Sequence, residues 1–125
     1  MFFNEYIGME MGDDPSESHI TILPHHQNPT GNINGGVMLS LADNLSTGVA
    51  NRAYHDKFGE QVFMVGVDLH ASMLSNQQGG KIVARAAPVR VGKRVTVIRT
   101  QVFGDGERLL AELTTTHVPV TAPST

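Results

Sequence analysis

A lone carboxylate and a pair of glycines mark the stretch of this chain whose residue types are best suited to chemistry. Gly35 and Gly36 follow a turn-rich run, and Asp43 comes seven residues after the second glycine. If a helix begins at the glycines, its first backbone N–H groups lack acceptors within the helix and lie at the positive end of its dipole. Such N–H groups can hold a developing oxyanion, and a positioned carboxylate can act as a general base.

The element that must position these groups is a helix, which the pattern predicts from about Gly35 to Tyr54 or slightly beyond. Apolar residues recur at every fourth position and form one stripe, at Val37, Leu41, Leu45, Val49 and Ala53. The far side is predicted to carry a small and polar stripe, made of Gly36, Ser40, Asp43, Thr47, Ala50 and Tyr54. Gly48 in the interior costs up to about 1 kcal/mol and indicates close packing, while Gly59 stands at a plausible C′ position.

Both chemical features also have plainer interpretations. Asp43 lies about two turns past the helix start, and Thr47 rather than a cation stands four residues on, so neither the dipole nor an ion pair explains the acid. A solvated surface carboxylate is the simple alternative. Asn34-Gly35 is also a hairpin signal, but no strand precedes it and a helical pattern follows it. A glycine helix start is therefore the preferred interpretation.

The order and spacing of these residues resemble a known family. The run Asn28-x-x-Gly31-x-x-Asn34-Gly35-Gly36, then Leu41-Ala42-Asp43, is similar to the motif of hotdog-fold thioesterases of the phenylacetate-pathway (PaaI-like) type. That pattern reads Asn-x-x-Gly-x-x-His-Gly-Gly, then six residues, then Asp or Glu, and it matches without a gap. The resemblance extends from about Tyr6 to Val120. It departs at Asn34, which replaces a histidine and cannot titrate.

The resemblance implies an enzyme that hydrolyses the thioester of an acyl- or aryl-CoA. Asp43 would activate water as a general base, or act as the nucleophile. The backbone N–H of Gly35 would bind the thioester oxygen, and Asn28 would donate a second hydrogen bond or position water. In this family the acid reaches a carbonyl held by the neighbouring subunit, so a homodimer, or a dimer of dimers, is implied with the site at the interface. Coenzyme A enters as part of the substrate, and no cofactor is expected.

Further residues would line the substrate site if the resemblance holds. Relatives often carry Ser or Thr on the first strand after the helix to orient the water. The matching position is Gly66, and Thr47 is a possible substitute for the missing hydroxyl. Gly92-Lys93-Arg94 is similar to a Gly-Lys-Arg position of the family, where cations would meet the CoA phosphates, although a solvated turn is the alternative. The expected substrate-binding residues are His26, Asn34, Gly36, Thr47, Gly66, Val67, Ser75, Arg90, Lys93 and Arg94.

Composition limits the classes of protein that remain. The net charge is −3 and no basic cluster is present, which argues against nucleic-acid binding. The absence of cysteine excludes disulfides, thiolate metal sites and a Cys nucleophile. His25 and His26 would point to opposite sides of an extended segment, so we expect no metal. No secretion signal and no membrane span are visible, so a cytoplasmic location is expected.

The remainder of the chain is predicted to be strand. The ranges are an opening hairpin of Tyr6–Met11 and Glu17–Leu23, then Gln61–Leu74, Lys81–Val91 with a bulge or edge position at Pro88, Lys93–Phe103, a hairpin turn at 104–106, Arg108–Val118, and a frayed tail at 122–125. One helix followed by four strands on short turns leaves no room for crossovers, so the sheet should be largely antiparallel and wrapped around the helix. This α+β prediction agrees with the hotdog fold that the resemblance implies, in one domain over residues 1–125.

Two other functions stay open from the sequence. A hotdog hydratase or dehydratase normally pairs a carboxylate with a catalytic histidine, and Asn34 removes the nearest candidate although His26 remains. A non-catalytic acyl-CoA-binding hotdog protein is allowed by the departures at Asn34 and Gly66. The acyl group, and the choice between coenzyme A and a carrier protein, are also open.

Overall fold

A computed structural model describes residues 1–120, in which one long helix packs against a six-stranded antiparallel sheet. The helices are α1 (Phe3–Tyr6) and α2 (Gly35–Phe58), and short 3-10 turns lie at Pro24–His26 and Asp105–Glu107. The strands are β1 (Glu10–Met11), β2 (Glu17–Thr21), β3 (Phe63–Met73), β4 (Lys81–Val91), β5 (Thr96–Phe103) and β6 (Leu109–Val120). They pair in the order β1-β2-β4-β5-β6-β3. The predicted arrangement of a central helix and an antiparallel sheet around it is confirmed.

The ends of α2 agree with the signals in the sequence. The helix begins at Gly35, directly after the N-cap residue Asn34, and it runs one turn beyond the predicted Tyr54 to Phe58. Gly59 terminates it in the left-handed region with φ 69°, and its N–H donates to the carbonyl oxygen of His55 at 2.8 Å. Glycine adopts this conformation without a Cβ penalty, so the predicted C′ role of Gly59 is confirmed.

The two faces of α2 are divided differently from the prediction. Leu41, Leu45 and Val49 are buried as expected, in one cluster with sheet residues such as Ile98 and Leu113. Each such burial stabilises the fold by about 1.5–3 kcal/mol. Gly36 and Asp43 are exposed and Ser40 and Thr47 are half-buried, which confirms that part of the polar stripe.

Three expectations about α2 are wrong. Ala50 and Tyr54, assigned to the far side, are buried, because the sheet curves around the helix and covers more than one stripe of it. Tyr54 packs on Phe58, with ring centroids 4.7 Å apart. Gly48 is exposed, and a Cβ added there would meet nothing within 4 Å in this chain, so close packing does not explain it.

The strands show both confirmed and corrected predictions. The bulge predicted near Pro88 is present, since the register of β4 on β5 shifts between Pro88 and Arg90. The 104–106 turn joins β5 to β6 as predicted. The strand predicted at Tyr6–Met11 is wrong over most of its length, because residues 3–6 form a helical turn that Gly8 ends with φ 73°. The strand predicted from Lys93 begins only at Thr96, because Gly92 N–H donates to Val95 O at 3.0 Å and closes a turn.

Strand β3 lies at the edge of the sheet beside α2. Its outer edge has no neighbouring strand among residues 1–120, and it pairs on its inner side with β6. Apolar side chains are exposed along its length and just after it, at Phe63, Val65, Val67, Leu69, Met73 and Leu74. A long edge strand with this surface is a template for pairing with another chain.

The predicted tail at 122–125 lies outside the described residues. Within residues 1–120, no helix has the length and apolar character needed to cross a membrane.

Candidate active site

The start of α2 presents one unpaired backbone donor. The side-chain Oδ1 of Asn34 accepts the N–H of Gly36 at 2.7 Å, and the backbone N–H of Asn34 donates to His26 O at 2.8 Å. A Cβ on Gly36 would lie 3.0 Å from Asn34 Oδ1, so glycine suits this tight cap. The N–H of Gly35 finds no acceptor within residues 1–120. The structure therefore agrees with the predicted free N–H at a glycine helix start. Because the Asn34 side chain caps Gly36, the amide that remains unpaired is that of Gly35.

Asn28 is held by the loop that precedes the helix. Its Oδ1 accepts hydrogen bonds from Thr30 N at 2.9 Å, from Thr30 Oγ1 at 2.6 Å and from Asn32 N at 3.3 Å. The backbone N–H of Asn28 donates to Asn32 O at 2.7 Å. Because the amide oxygen is fully used by the loop, the orientation of the side-chain NH2 is fixed. In the part of the chain that the structure describes, that NH2 has no acceptor, so it is available to a ligand oxygen.

Asp43 stands in a cleft between α2 and β3. The strand runs antiparallel to the helix, so that its last residue, Met73, lies beside the first residue of the helix, Gly35. An ideal Cβ built on Gly35 would be 3.1 Å from the methyl carbon of Met73. Further along, an ideal Cβ on Gly66 lies 3.9 Å from Asp43 Oδ1. The cleft has a volume of about 310 Å³ and is lined by Asp43, Thr47, Gly66, Val67, Asp68 and Leu69. The Asp43 carboxylate is exposed and accepts no hydrogen bond from residues 1–120, which leaves both oxygens free for water.

A second cleft lies nearer the start of α2. It also measures about 310 Å³ and is mostly apolar, with the lining residues Phe3, Tyr6, Ile7, His25, His26, Asn34, Gly36, Val37 and Ser40. Gly36, Ser40, Asp43 and Thr47 lie three or four residues apart, so they share one face of the helix. The two clefts therefore open along the same polar face of α2, one at the helix start and the other at the acid, and together they are called the groove below.

His26 shapes the loop and is not free to bind a ligand through its ring nitrogens. Nδ1 accepts the N–H of Leu23 at 2.9 Å, and Nε2 donates to the carbonyl oxygen of Ile7 at 2.8 Å. Burial lowers the pKa of His26 below its ordinary value of 6.5, more strongly than the hydrogen bond to Ile7 raises it. The geometry therefore gives this histidine a loop-shaping role rather than direct hydrogen bonding to the substrate, which its place among the substrate-binding residues would require. Within residues 1–120, no group of three His, Asp or Glu side chains could hold a metal.

The other expected substrate-binding residues lie in three places: the Asp43 cleft, the end of β3 and the far end of α2. Thr47 lies in the Asp43 cleft and donates its hydroxyl to Asp43 O at 3.2 Å. Ser75 follows β3 and donates its backbone N–H to Leu110 O at 3.1 Å. Lys93 lies 4.7 Å from the Phe58 ring centroid and pairs with Glu60 at 2.7 Å. Because Phe58 is about 22 Å beyond Asp43 along the helix axis, Lys93 and its neighbours Arg90 and Arg94 lie outside the groove of their own chain. Their phosphate-binding role stays a prediction.

One residue beside Asp43 was missed by the sequence analysis. His117 on β6 pairs with Gly66 on β3, and its ring is buried. Nε2 lies 2.8 Å from Thr115 Oγ1, whereas Nδ1 has no partner within residues 1–120. An ideal Cβ on Gly66 would lie 3.7 Å from His117 Nδ1. Burial lowers the pKa of His117, and the nearby Asp43 carboxylate opposes that shift. No local motif marks this histidine, since only the strand register brings it to Asp43.

Comparison with known proteins decides the family. A family model described as the thioesterase superfamily matches residues 30–111, which include Gly35, Asp43 and Gly66. The chain belongs to the thioesterase superfamily. One similar relative is the 1,4-dihydroxy-2-naphthoyl-CoA hydrolase of Listeria monocytogenes, which is 30% identical over 107 residues, a match that covers 85% of this chain and 81% of the relative.

Solved structures agree on the fold of this thioesterase-superfamily member. Thioesterase HI1161 from Haemophilus influenzae superposes with a TM-score of 0.84 at 20% identity, over 94% of this chain and 82% of that one. The BH2602 protein from Bacillus halodurans, solved with CoA, superposes with a TM-score of 0.85 at 22% identity, over 96% and 76% of the two chains. At these identities the likeness establishes the hotdog fold.

Proposed function

We propose that this member of the thioesterase superfamily hydrolyses an acyl- or aryl-CoA, with Asp43 as the general base. The observation that carries the proposal is the exposed Asp43 carboxylate, which has no hydrogen-bond partner within residues 1–120 and stands in a cleft on the helix whose first N–H, that of Gly35, is unpaired. The Listeria relative named as a CoA-thioester hydrolase supports the substrate class, and so does the CoA in the Bacillus halodurans structure.

Each group has one part in the proposed reaction. Asp43 accepts a proton from water as the water oxygen attacks the thioester carbon and forms the new C–O bond. The N–H of Gly35 and the side-chain NH2 of Asn28 donate to the oxygen that becomes negative. The C–S bond then breaks, and the coenzyme A thiolate takes up the proton. A preorganised oxyanion donor contributes about 2.7–4 kcal/mol, and a general base contributes about 10²–10⁴-fold in rate.

A second copy of the chain would bring these groups together compactly. Gly35 and Asp43 are eight residues apart on one helix, which is about 12 Å along its axis. A water held by Asp43 must lie about 3–3.5 Å from the carbon whose oxygen Gly35 binds, so within one chain the water and the carbonyl would have to extend almost in line between the two groups. We propose that the exposed edge of β3 pairs with the same strand of a second copy about a two-fold axis. Asp43 of the partner subunit then faces Gly35 across the groove.

The same arrangement gives the distant cations a role. In a two-fold pair of antiparallel helices, the end of one helix lies near the start of the other. Arg90, Lys93 and Arg94 stand at the far end of α2, so those of one subunit would approach the groove mouth of the other. Cations there would contact the phosphates of coenzyme A.

The test is release of free thiol from a panel of acyl- and aryl-CoA thioesters by the wild type, Asp43→Asn and Asp68→Asn. Asp68 is the matched control, because its carboxylate lines the same cleft but is carried by β3. We expect Asp43→Asn to lower kcat/KM by at least about 100-fold and Asp68→Asn by less than about 10-fold. Activity that survives Asp43→Asn would place the chemistry elsewhere. Tight CoA binding by a wild type that releases no thiol would establish a binding protein instead.

One observation favours a second candidate function. Hydration of an enoyl-CoA by a hotdog enzyme uses a carboxylate with a histidine, and His117 is the histidine that lies beside Asp43. The panel should therefore include an enoyl-CoA, with loss of its double bond followed separately from thiol release. Loss of the double bond without release of thiol would select the hydratase over the thioesterase.

A further inference from the structure

We propose that His117 is a second catalytic group of this site, whose Nδ1 holds the attacking water together with Asp43 in the space left open by Gly66. This inference rests on the proposed thioesterase function and extends it by one residue. Its starting point is a buried polar atom that the fold leaves without a partner.

Four buried side-chain atoms lack a hydrogen-bond partner within residues 1–120: Ser18 Oγ, Thr96 Oγ1, Thr100 Oγ1 and His117 Nδ1. Among these atoms, His117 Nδ1 is the one that lies close to Gly66, on the side of the strand where Asp43 stands. Its imidazole is held in place, because Nε2 is tied to Thr115 Oγ1 at 2.8 Å and the ring is fully buried. An unpaired buried polar atom destabilises the fold, and such atoms in native structures are commonly satisfied by an ordered water.

The missing side chain of Gly66 supplies the place for that water. An ideal Cβ on Gly66 would lie 3.7 Å from His117 Nδ1 and 3.9 Å from Asp43 Oδ1, so one point is close to both groups. The register shift between Gly66 and Asp68 falls at the same position, and Gly66 lines the cleft together with Asp43. A water bound beside Gly66 would have both groups as polar partners.

The chemistry of the two groups is complementary. The negative Asp43 carboxylate favours the tautomer that carries a proton on Nδ1, and Nε2 then accepts the hydroxyl proton of Thr115. The water accepts a hydrogen bond from Nδ1–H and donates one to Asp43, which leaves its second lone pair for the thioester carbon. As the C–O bond forms, the proton moves to Asp43. The C–S bond then breaks, and the thiolate takes up that proton, while His117 stays neutral throughout.

Two substitutions at 117 separate this role from a structural one. In His117→Asn, the side-chain amide reaches about as far as Nδ1, whereas in His117→Gln it reaches about as far as Nε2 and keeps the contact with Thr115. We expect His117→Gln to lower kcat by about 10–100-fold with little change in KM, and His117→Asn to stay within about 5-fold of the wild type. If the histidine only supports the fold through Thr115, the order of the two variants reverses, and that result overturns the proposal.

Substitution of Gly66 tests the same water without altering the histidine. Gly66→Ala adds a methyl group at ordinary contact distance from both groups, so the protein should fold while the water is displaced. Gly66→Ser adds a hydroxyl that can take over part of the role. We expect Gly66→Ala to lose at least about 10-fold in kcat and Gly66→Ser to lose less. Equal, wild-type turnover of both variants would overturn the proposal.

Asp43→Asn assayed beside these variants shows which proposal has failed. If Asp43→Asn loses activity while every variant at 117 and 66 keeps it, only the role of His117 is wrong. If the wild type releases thiol from none of the thioesters, the proposed function fails and the role of His117 fails with it.

Discussion

The side-chain oxygen of Asn34 accepts the amide hydrogen of Gly36 at 2.7 Å, and this cap leaves the preceding amide, that of Gly35, as the unpaired donor. Relatives that the sequence resembles carry histidine at the capping position. In this chain an asparagine with no titratable group caps α2 and leaves the amide of Gly35, the proposed oxyanion donor, unpaired. The replacement of histidine by Asn34 therefore changes the side chain that caps the helix, while Gly35 remains the first residue of α2.

Loss of this cap should weaken both stability and turnover. Asn34→Ala removes the acceptor for Gly36 N–H, so we expect the free energy of unfolding to fall by about 0.5–2 kcal/mol. Turnover should fall as well, because the first turn of α2 is less rigid without the cap and no longer holds the Gly35 N–H in a fixed position. Asn34→Asp keeps a capping oxygen and should retain the stability. Urea unfolding followed by circular dichroism measures the effect, and an unchanged Asn34→Ala would contradict the role of the cap.

The two ends of the Asn28 amide can be tested separately. Asn28→Asp keeps an oxygen for Thr30 and Asn32 but removes the NH2 that is free to donate. We expect the loop and the unfolding free energy to be preserved, while kcat falls by about 10²–10³-fold through loss of an oxyanion donor. Asn28→Ala should lose stability and activity together. Steady-state thiol release and urea unfolding distinguish the two, and wild-type kcat in Asn28→Asp would exclude Asn28 from the oxyanion site.

The cations at the end of α2 should affect binding of coenzyme A more than the chemical step. Arg90→Ala, Lys93→Ala and Arg94→Ala are expected to raise KM for an acyl-CoA several-fold with kcat nearly constant, because contacts with the phosphates are made equally in substrate and transition state. The matched control is the same acyl group on pantetheine, which lacks the nucleotide phosphates. If the variants affect both substrates alike, the cations do not bind the nucleotide part.

The exposed edge of β3 should control assembly and activity together. Lysine on an edge strand opposes pairing with another chain. We expect light scattering to show a dimer for the wild type and a monomer with strongly reduced thiol release for the double variant Phe63→Lys, Val65→Lys, since both residues are exposed on β3 and lie outside the lining of the Asp43 cleft. Val89→Lys is the control, since Val89 is 63% exposed but lies on β4. A wild type that is fully active as a monomer would refute the shared site.

Stability should depend on pH through the two buried histidines. Burial lowers the pKa of His26 and of His117 below the ordinary value of 6.5, so the unfolded chain binds these protons more tightly than the folded one. Stability is therefore complete above about pH 6.5 and is lost as the pH falls below that value towards the folded pKa values. Urea midpoints measured between about pH 7.5 and 5 should show this fall. His26→Gln should make it shallower, and an equal fall in that variant would show that His26 contributes nothing.

Much of the fold and part of the site follow from local patterns. The extent of α2 depends on the Asn34 cap, the four-residue spacing of its leucines and Gly59, which all act within a few residues. The bulge at Pro88 follows from its missing N–H. The burial of Ala50 and Tyr54 could not be predicted in this way, because it depends on how far the sheet curves around the helix. The same is true of His26, whose partner Ile7 lies in a segment predicted to be strand.

The sequence by itself determined that a helix begins at Gly35 with an unpaired N–H and carries Asp43 on its small and polar face, because helix caps and helix faces depend on neighbours within about four residues. Only the tertiary structure decided that β3 is the edge strand and that His117 stands opposite Gly66 beside Asp43. Strand order and register are set by contacts between residues far apart in the chain, and a shift of one residue would turn His117 to the other face of the sheet.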